Sequence, residues 1–327
     1  MRKTSIVWTI MSLLLLPACF GGTANNPLPT GGTPVASVAA NPDEARPIRL
    51  GFTVLGSFEF TDMIKDKLEA EVASRKNIEL YSYEGHANAE QQLADVKDMI
   101  AKDVDVIILN PVNAAKSDVA VKMAVDAGIP VVGINTIPDT DLLTTYVGSN
   151  DIQAGEIQMQ FIAESLGGEG NIVILRGLAE QSSQIQRARG ILNVLDKYPN
   201  IHVLEDVSAK WSRNEAYELM KDWHEKYGDK IDAVVSHNDG MALGALDYLK
   251  EAGIRIPVIG VDAIPDALLS VKDGQLTATV FQDAIGQAKM AVNLAINIAQ
   301  NGQVAKSYFI PYRLVTQENV DYFTAIR

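Results

Sequence analysis

One unit of strand, helix and strand is written twice in this chain, and the repetition narrows the available folds more than any other feature. Residues 105–135 read DVIILN…AGIPVVGIN, and residues 232–262 read DAVVSHN…AGIRIPVIGVD. Each copy runs from an acid through an apolar strand to Asn, then a helix, Ala-Gly-Ile, and a second apolar strand ending in Asn135 or Asp262. Self-similarity of this length marks a repeated supersecondary element. In open α/β sheets, ligands bind outside the carboxyl ends of the strands. Two such units therefore predict two similar lobes whose polar strand ends face one another across a cleft for a small polar molecule.

The 327 residues are 47% apolar, enough for a packed core and for two domains. The formal charge is −13, and the first eighteen residues hold two basic residues and no acid, so the remainder is more acidic still. Such a chain is poorly suited to phosphate backbones or anionic membrane surfaces, which argues against a nucleic-acid partner. The single cysteine, Cys19, excludes an intrachain disulfide. His86, His202, His224 and His237 are scattered without metal-ligand spacing, so no metal is expected, and nothing implies a cofactor.

The amino terminus reads as an address. Met1 to Lys3 are basic and Ile6 to Leu16 apolar, too short a run to span a bilayer comfortably. The run ends Leu16-Pro17-Ala18-Cys19, which resembles a bacterial lipobox, with Pro17 a departure from the usual small residue. That resemblance implies a signal peptide over 1–18 and a lipid on Cys19. Residues 19–45, rich in Gly, Thr, Pro, Ala and Asn, form a flexible tether. The expected location is exported, anchored by lipid at the outer face of the cytoplasmic membrane or in the periplasm.

Strands and helices then alternate. Strands are predicted at 48–53, 79–83, 104–109, 130–134, 171–175, 201–207, 233–236, 258–261 and 277–281. Helices are predicted at 61–75, 89–102, 115–127, 151–166, 183–197, 214–227, 239–252, 265–272 and 284–301. Apolar runs without alternation, such as Val104–Leu109, indicate strands covered on both faces. The expected class is α/β with parallel sheets, and two sheets are more economical than one of so many strands.

Leu109-Asn110-Pro111, Ala127-Gly128-Ile129-Pro130-Val131, Asn238-Asp239-Gly240-Met241-Ala242-Leu243-Gly244-Ala245 and Gly260-Val261-Asp262 carry a family resemblance. Over residues 48–315 the chain resembles type 1 periplasmic sugar-binding proteins, the ribose/galactose-type binding components of ABC importers. The resemblance implies two Rossmann-like lobes joined by a three-segment hinge near 148–149, 282–283 and 311–313. Lobe 1 would be 46–148 plus 283–310, and lobe 2 would be 149–282 plus 311–327. It implies a monosaccharide ligand (pentose or hexose), an ABC permease as partner, a monomer, and no catalysis.

The resemblance also assigns the site. Phe60 and Trp211 would sandwich the sugar ring from opposite lobes, with Phe60 as a core staple the alternative. Arg187, Asn238, Asp262 and Gln282 would hold its edge, aided by Asn110 and Asn135. The alternative for Asn110 is that it only shapes the turn before Pro111. Ser57 and Glu59 share the loop of Phe60, and Glu59 either accepts hydroxyl bonds or is solvated. Asn135-Thr136 replaces an Asp-Arg pair of the ribose pattern, which removes a fork of donors and speaks against ribose. Asp239 is expected to cap its helix, and Trp223 to lie in the core.

Rival functions find little support. The chain has no Gly-x-Gly-x-x-Gly after its first strand, no Gly-Lys-Ser/Thr loop and no Gly-x-Ser-x-Gly elbow, which leaves a carbohydrate-active enzyme as a remote alternative. A sugar-responsive repressor would need a DNA-binding segment where this chain has an export signal. A sugar sensor that presents its closed form to a chemoreceptor or sensor kinase remains the alternative to transport.

Overall fold

The computed structural model describes residues 46–326. The expected signal peptide and tether, with Cys19, lie outside the described residues. In chain order the elements are β1 (Ile48–Val54), α1 (Glu59–Ala73), β2 (Ile78–Glu84), α2 (Ala89–Ala101), β3 (Val106–Leu109), α3 (Ser117–Asp126), β4 (Val131–Asn135) and β5 (Thr145–Gly148). There follow α4 (Asp151–Ser165), β6 (Glu169–Arg176), α5 (Ser182–Leu195), β7 (Asn200–Ser208), α6 (Arg213–Tyr227), β8 (Ala233–Ser236), α7 (Asp239–Glu251), β9 (Val258–Asp262), α8 (Pro265–Lys272) and β10 (Ala278–Phe281). The chain ends with α9 (Ala284–Ala299), β11 (Ser307–Phe309), β12 (Arg313–Val315) and α10 (Val320–Ala325).

The strands form two six-stranded sheets, ordered β11-β5-β4-β3-β1-β2 and β12-β10-β9-β8-β6-β7. The chain passes from the first sheet to the second after Gly148, returns after Phe281, and passes again between Phe309 and Arg313. Each sheet with its helices is called a lobe below. The central strands β3, β4, β8 and β9 are buried at every residue, as their continuous apolar runs require. Edge strands β2 and β7 are partly exposed and more polar. Helices cover both faces of each sheet: one core of the first lobe joins α1 and α9 to β1, β3, β4 and β5, while another joins α2 and α3 to its opposite face.

The two α/β sheets of parallel strands are those expected, with one short strand added at the edge of the second: β12 pairs antiparallel with β10, Phe281 opposite Arg313. Only Ile310, Pro311 and Tyr312 separate β11 from β12, too few for the crossover that a parallel strand needs. The cap of α7 is Asn238 rather than Asp239. Asn238 Oδ1 accepts from Met241 N (2.9 Å), whereas Asp239 is fully buried and accepts from Ile264 N (3.0 Å) and Thr279 Oγ1 (2.6 Å), tying α7 to the β9–α8 turn and to β10. Sequence periodicity also missed β5, β11, β12 and α10, which have six residues or fewer. Such lengths are too short to show a period.

Candidate functional site

A cavity with about 390 Å³ of atom-free space, partly open to solvent, lies between the lobes. The first lobe contributes Leu55, Phe58, Phe60, Thr61, Asn135 and Thr136 to its wall. Gln181, Ser183, Arg187, Trp211, Asn238 and Asp262 come from the second, and Gln282 from a crossing segment. Nearly all of these sit at carboxyl ends of strands or in the loop and first helical turns behind them.

Arg187 is the centre of the polar wall. It lies on α5 with 4% of its surface exposed. Its Nε donates to Asp151 Oδ1 (2.9 Å), one terminal nitrogen donates to the His237 carbonyl, and the other donates to Gln282 Oε1 (3.2 Å) and Tyr312 Oη (3.1 Å). Asp262 Oδ1 stands 4.0 Å from it. Burial opposes the guanidinium charge, yet Tyr312, Asp151 and Asp262 together hold its pKa above the ordinary value. Tyr312 donates to Asp151 Oδ1 (2.7 Å); burial raises its phenol pKa well above normal although Arg187 acts the other way. Gln282 and Tyr312 belong to two of the three crossings, so the guanidinium is bonded directly to the segments that join the sheets.

The aromatic wall is held as firmly. The Trp211 ring lies over Gly177, where an added Cβ would come within 2.0 Å of Cζ2. Its indole N–H donates to Gln181 Oε1 (2.8 Å), and the Arg187 guanidinium carbon is 5.8 Å from the ring centroid. Phe60, 7% exposed, reaches the cavity wall and also packs in the core of the first lobe. Asn135 (φ 66°), Trp211 (φ 64°) and Asp262 (φ 116°) all have left-handed backbone. Asn adopts it readily, but for a bulky residue such as Trp it costs on the order of 1–3 kcal/mol and persists only where the surroundings over-determine it.

Phe60, Asn135, Thr136, Arg187, Trp211, Asn238, Asp262 and Gln282 are thus gathered around one cavity. Ser57, Glu59 and Asn110 lie outside its wall. Ser57 is exposed and donates to Asp62 Oδ2 (2.9 Å). Glu59 faces the other lobe: a Cβ on Gly240, in the first turn of α7, would meet its Oε2 at 3.0 Å. Asn110 is fully buried and saturated, accepting from Leu55 N (3.1 Å) and donating to Ile134 O (3.2 Å) and Thr136 Oγ1 (3.0 Å). It braces two wall residues from behind. Leu55, Phe58, Thr61, Gln181 and Ser183 were missed, although all five belong to the β1–α1 or β6–α5 loop and its first helical turn, a signal that a systematic scan of such loops would have caught.

The wall offers donors and acceptors in fixed directions between two aromatic groups. Gln282 is 1% exposed, and its Nε2 has no hydrogen-bond partner within the protein. A buried donor left so costs about 1–3 kcal/mol and is ready for a guest oxygen. Arg187 is flanked by two carboxylates, a balance suited to an uncharged guest rather than an anion.

His237 lies behind this wall, fully buried, with neither ring nitrogen hydrogen-bonded. Burial, with Arg187 and Arg176 adding to it, pushes its pKa well below the usual 6.5. Below about pH 6.5 the unfolded chain takes up a proton that the folded chain refuses, so this residue lowers stability as pH falls, by about 1.4 kcal/mol per unit. His237→Leu is expected to remove that component and to raise stability at neutral pH. Denaturant midpoints at pH 7, 6 and 5 measure both, and parallel pH profiles for parent and variant would refute the assignment.

Residues 53–303 match the family model described as a periplasmic binding protein domain. The chain belongs to the type 1 periplasmic sugar-binding proteins. It is 38% identical over 288 residues to a xylitol-binding protein of Mycolicibacterium smegmatis, covering 86% of this chain and 80% of the relative. It is 31% identical over 319 residues to the ribose import binding protein of Bacillus subtilis, covering 97% and 100%. Among solved structures, an ABC transporter solute-binding protein from Bacillus halodurans with bound myo-inositol superposes with a TM-score of 0.83 at 37% identity, covering 87% of this chain and all of that one. These relatives are binding proteins, and membership of their family implies an extracytoplasmic location. Among the described residues no helix is long and apolar enough to cross a membrane.

Proposed function

We propose that this protein captures a neutral monosaccharide, or a polyol of similar size, in the interlobe cavity and delivers it to an ABC import permease without transforming it. The carrying observation is the buried Arg187, Asp262 and Gln282 constellation beneath the Trp211 ring, with donors and acceptors set for hydroxyls and a hinge residue among them. Residues 46–148 plus 283–310 act as one jaw and 149–282 plus 311–327 as the other. Ligand contacts from both lobes stabilise the closed form, which the permease recognises. The xylitol and myo-inositol of the similar proteins agree with the loss of the Arg fork at Thr136, and support widening the ligand class from aldoses to polyols. Lipid on Cys19 holds the protein at the outer face of the cytoplasmic membrane or in the periplasm.

A melting-temperature screen against D-ribose, D-galactose, xylitol and myo-inositol tests the ligand class, since a binder stabilises by RT ln(1 + [L]/Kd). Trp211→Ala and Asp262→Ala are each expected to weaken the hit about a hundredfold, as removal of a central buried anchor does. Response only to an amino acid or nucleoside would sink the reading. Loss of labelled-ligand uptake in a deletion strain supports transport; intact uptake with lost chemotaxis or gene induction would favour a sensor. Cys19→Ser should move the protein out of the membrane fraction.

A further inference from the structure

Four hydrogen bonds join the lobes at one edge of the cleft, and none lies on a crossing segment. Ala114 N donates to Glu180 O (2.9 Å), Asn113 Nδ2 to Glu180 Oε2 (2.6 Å), Ile137 N to Ser182 Oγ (2.8 Å), and Gln181 Nε2 to Val112 O (3.1 Å). All four converge on residues 180–182, the short loop that feeds α5. Glu180 has left-handed backbone (φ 65°), a conformation uncommon for Glu and one that needs support from its surroundings. Hinge motion that parts the sheets must break every one of these bonds.

Gln181 differs from its neighbours. It is 2% exposed and lines the cavity. Its single carboxamide serves both lobes: Nε2 reaches the Val112 carbonyl of the first lobe, while Oε1 takes the Trp211 indole proton of the second. The amide is planar, so fixing one end fixes the direction of the other. With the lobes together, Val112 orients the amide and the amide orients the indole. With the lobes apart, Nε2 loses its partner and the amide can turn.

We propose that Gln181 is a positioning residue for ligand capture, coupling the approach of the two lobes to the seating of the Trp211 ring. The inference rests on the cleft being the ligand site, and it adds a residue that acts through Trp211 and Val112 rather than through the guest. Affinity then depends on Gln181 even for ligands that never contact it.

Two substitutions in the full chain separate the halves of this device. Gln181→Glu keeps an acceptor for the indole but presents an oxygen to the Val112 carbonyl. Gln181→Met keeps the length and loses both bonds. Binding is measured with D-ribose, D-galactose, xylitol and myo-inositol, together with tryptophan emission and hydrogen exchange of the Ala114 and Ile137 amides at saturating ligand. Gln181→Glu should bind about tenfold more weakly than the parent and exchange these two amides faster, with unchanged emission. Gln181→Met should bind more weakly still, with shifted emission. A purely structural role would lower the melting temperature of both variants without changing exchange at Ala114 and Ile137. A parent that binds one of the four while Gln181→Glu matches it in affinity overturns this inference alone. A parent that binds none overturns the proposed function and this inference with it.

Discussion

Arg187→Met leaves a protein that no longer captures ligand and is less stable by about 3–5 kcal/mol. The side chain is 4% exposed and joins Asp151, the His237 carbonyl, Gln282 and Tyr312. Replacing it with an apolar chain of similar length fills the volume but strands the Asp151 carboxylate, 2% exposed, without its countercharge. Removing one partner of a buried ion pair costs more than the pair itself contributes, because the remaining charge stays buried. The loss of binding, expected to exceed about a hundredfold, has a second cause in the hinge. Gln282 and Tyr312 lose a shared donor, so the crossing segments are no longer tied to the ligand wall. Urea unfolding with a paired ligand titration measures both effects. A variant that retains the parent's midpoint would show that the Arg187–Asp151 contact is not a buried pair in solution.

Gly190→Ala is the second large effect, about 2–3 kcal/mol of destabilisation from a single methyl group. Intrinsic helix propensity argues the other way, since Ala is better than Gly inside a helix by about 1 kcal/mol. The crossing of α4 and α5 decides the sign. A Cβ on Gly190 would lie 2.0 Å from the Ile152 carbonyl oxygen, and one on Gly155 would lie 2.1 Å from that of Arg187. Both obstacles are backbone, so no rotamer change relieves them and the helices must separate, an overpacking cost of roughly 3 kcal/mol. Arg187 sits three residues before Gly190, so separation also shifts the guanidinium and weakens binding. Gly155→Ala should behave alike. The double variant should cost less than the sum, because one separation accommodates both methyl groups. Additive losses in denaturant midpoints would show that the two contacts are independent.

The site was legible in part, and the division has a physical basis. Asn135, Asn238 and Asp262 end or follow apolar strands and Trp211 follows the edge strand β7, and the parallel architecture that the strands imply places strand ends at a cleft. Asn110 carries the same positional signal but turns away. Its amide is used up by Leu55, Ile134 and Thr136, a partnership between residues up to 55 apart in the chain that no local pattern encodes. Glu59 and Phe60 are adjacent in sequence yet separate in space, because neighbouring helical residues point about 100° apart: Phe60 enters the cavity while Glu59 reaches the first turn of α7. Gln181 carried only the positional signal of its loop; its double attachment depends on Val112 and Trp211, 69 and 30 residues away in the chain.

Hydrophobic patterning alone determined that this chain forms alternating strands and helices in two sheets, because buried parallel strands need unbroken apolar runs and their covering helices need one apolar face. The repeat determined that the two halves are built alike. Tertiary structure decided which polar residues face the cavity, which brace its wall and which join the lobes. Those choices depend on where hydrogen-bond partners from remote segments arrive, and a buried amide or guanidinium turns toward whichever partners satisfy it. The antiparallel strand β12 was decided in the same way: three residues after β11 leave the chain no room to enter the second sheet in the parallel sense.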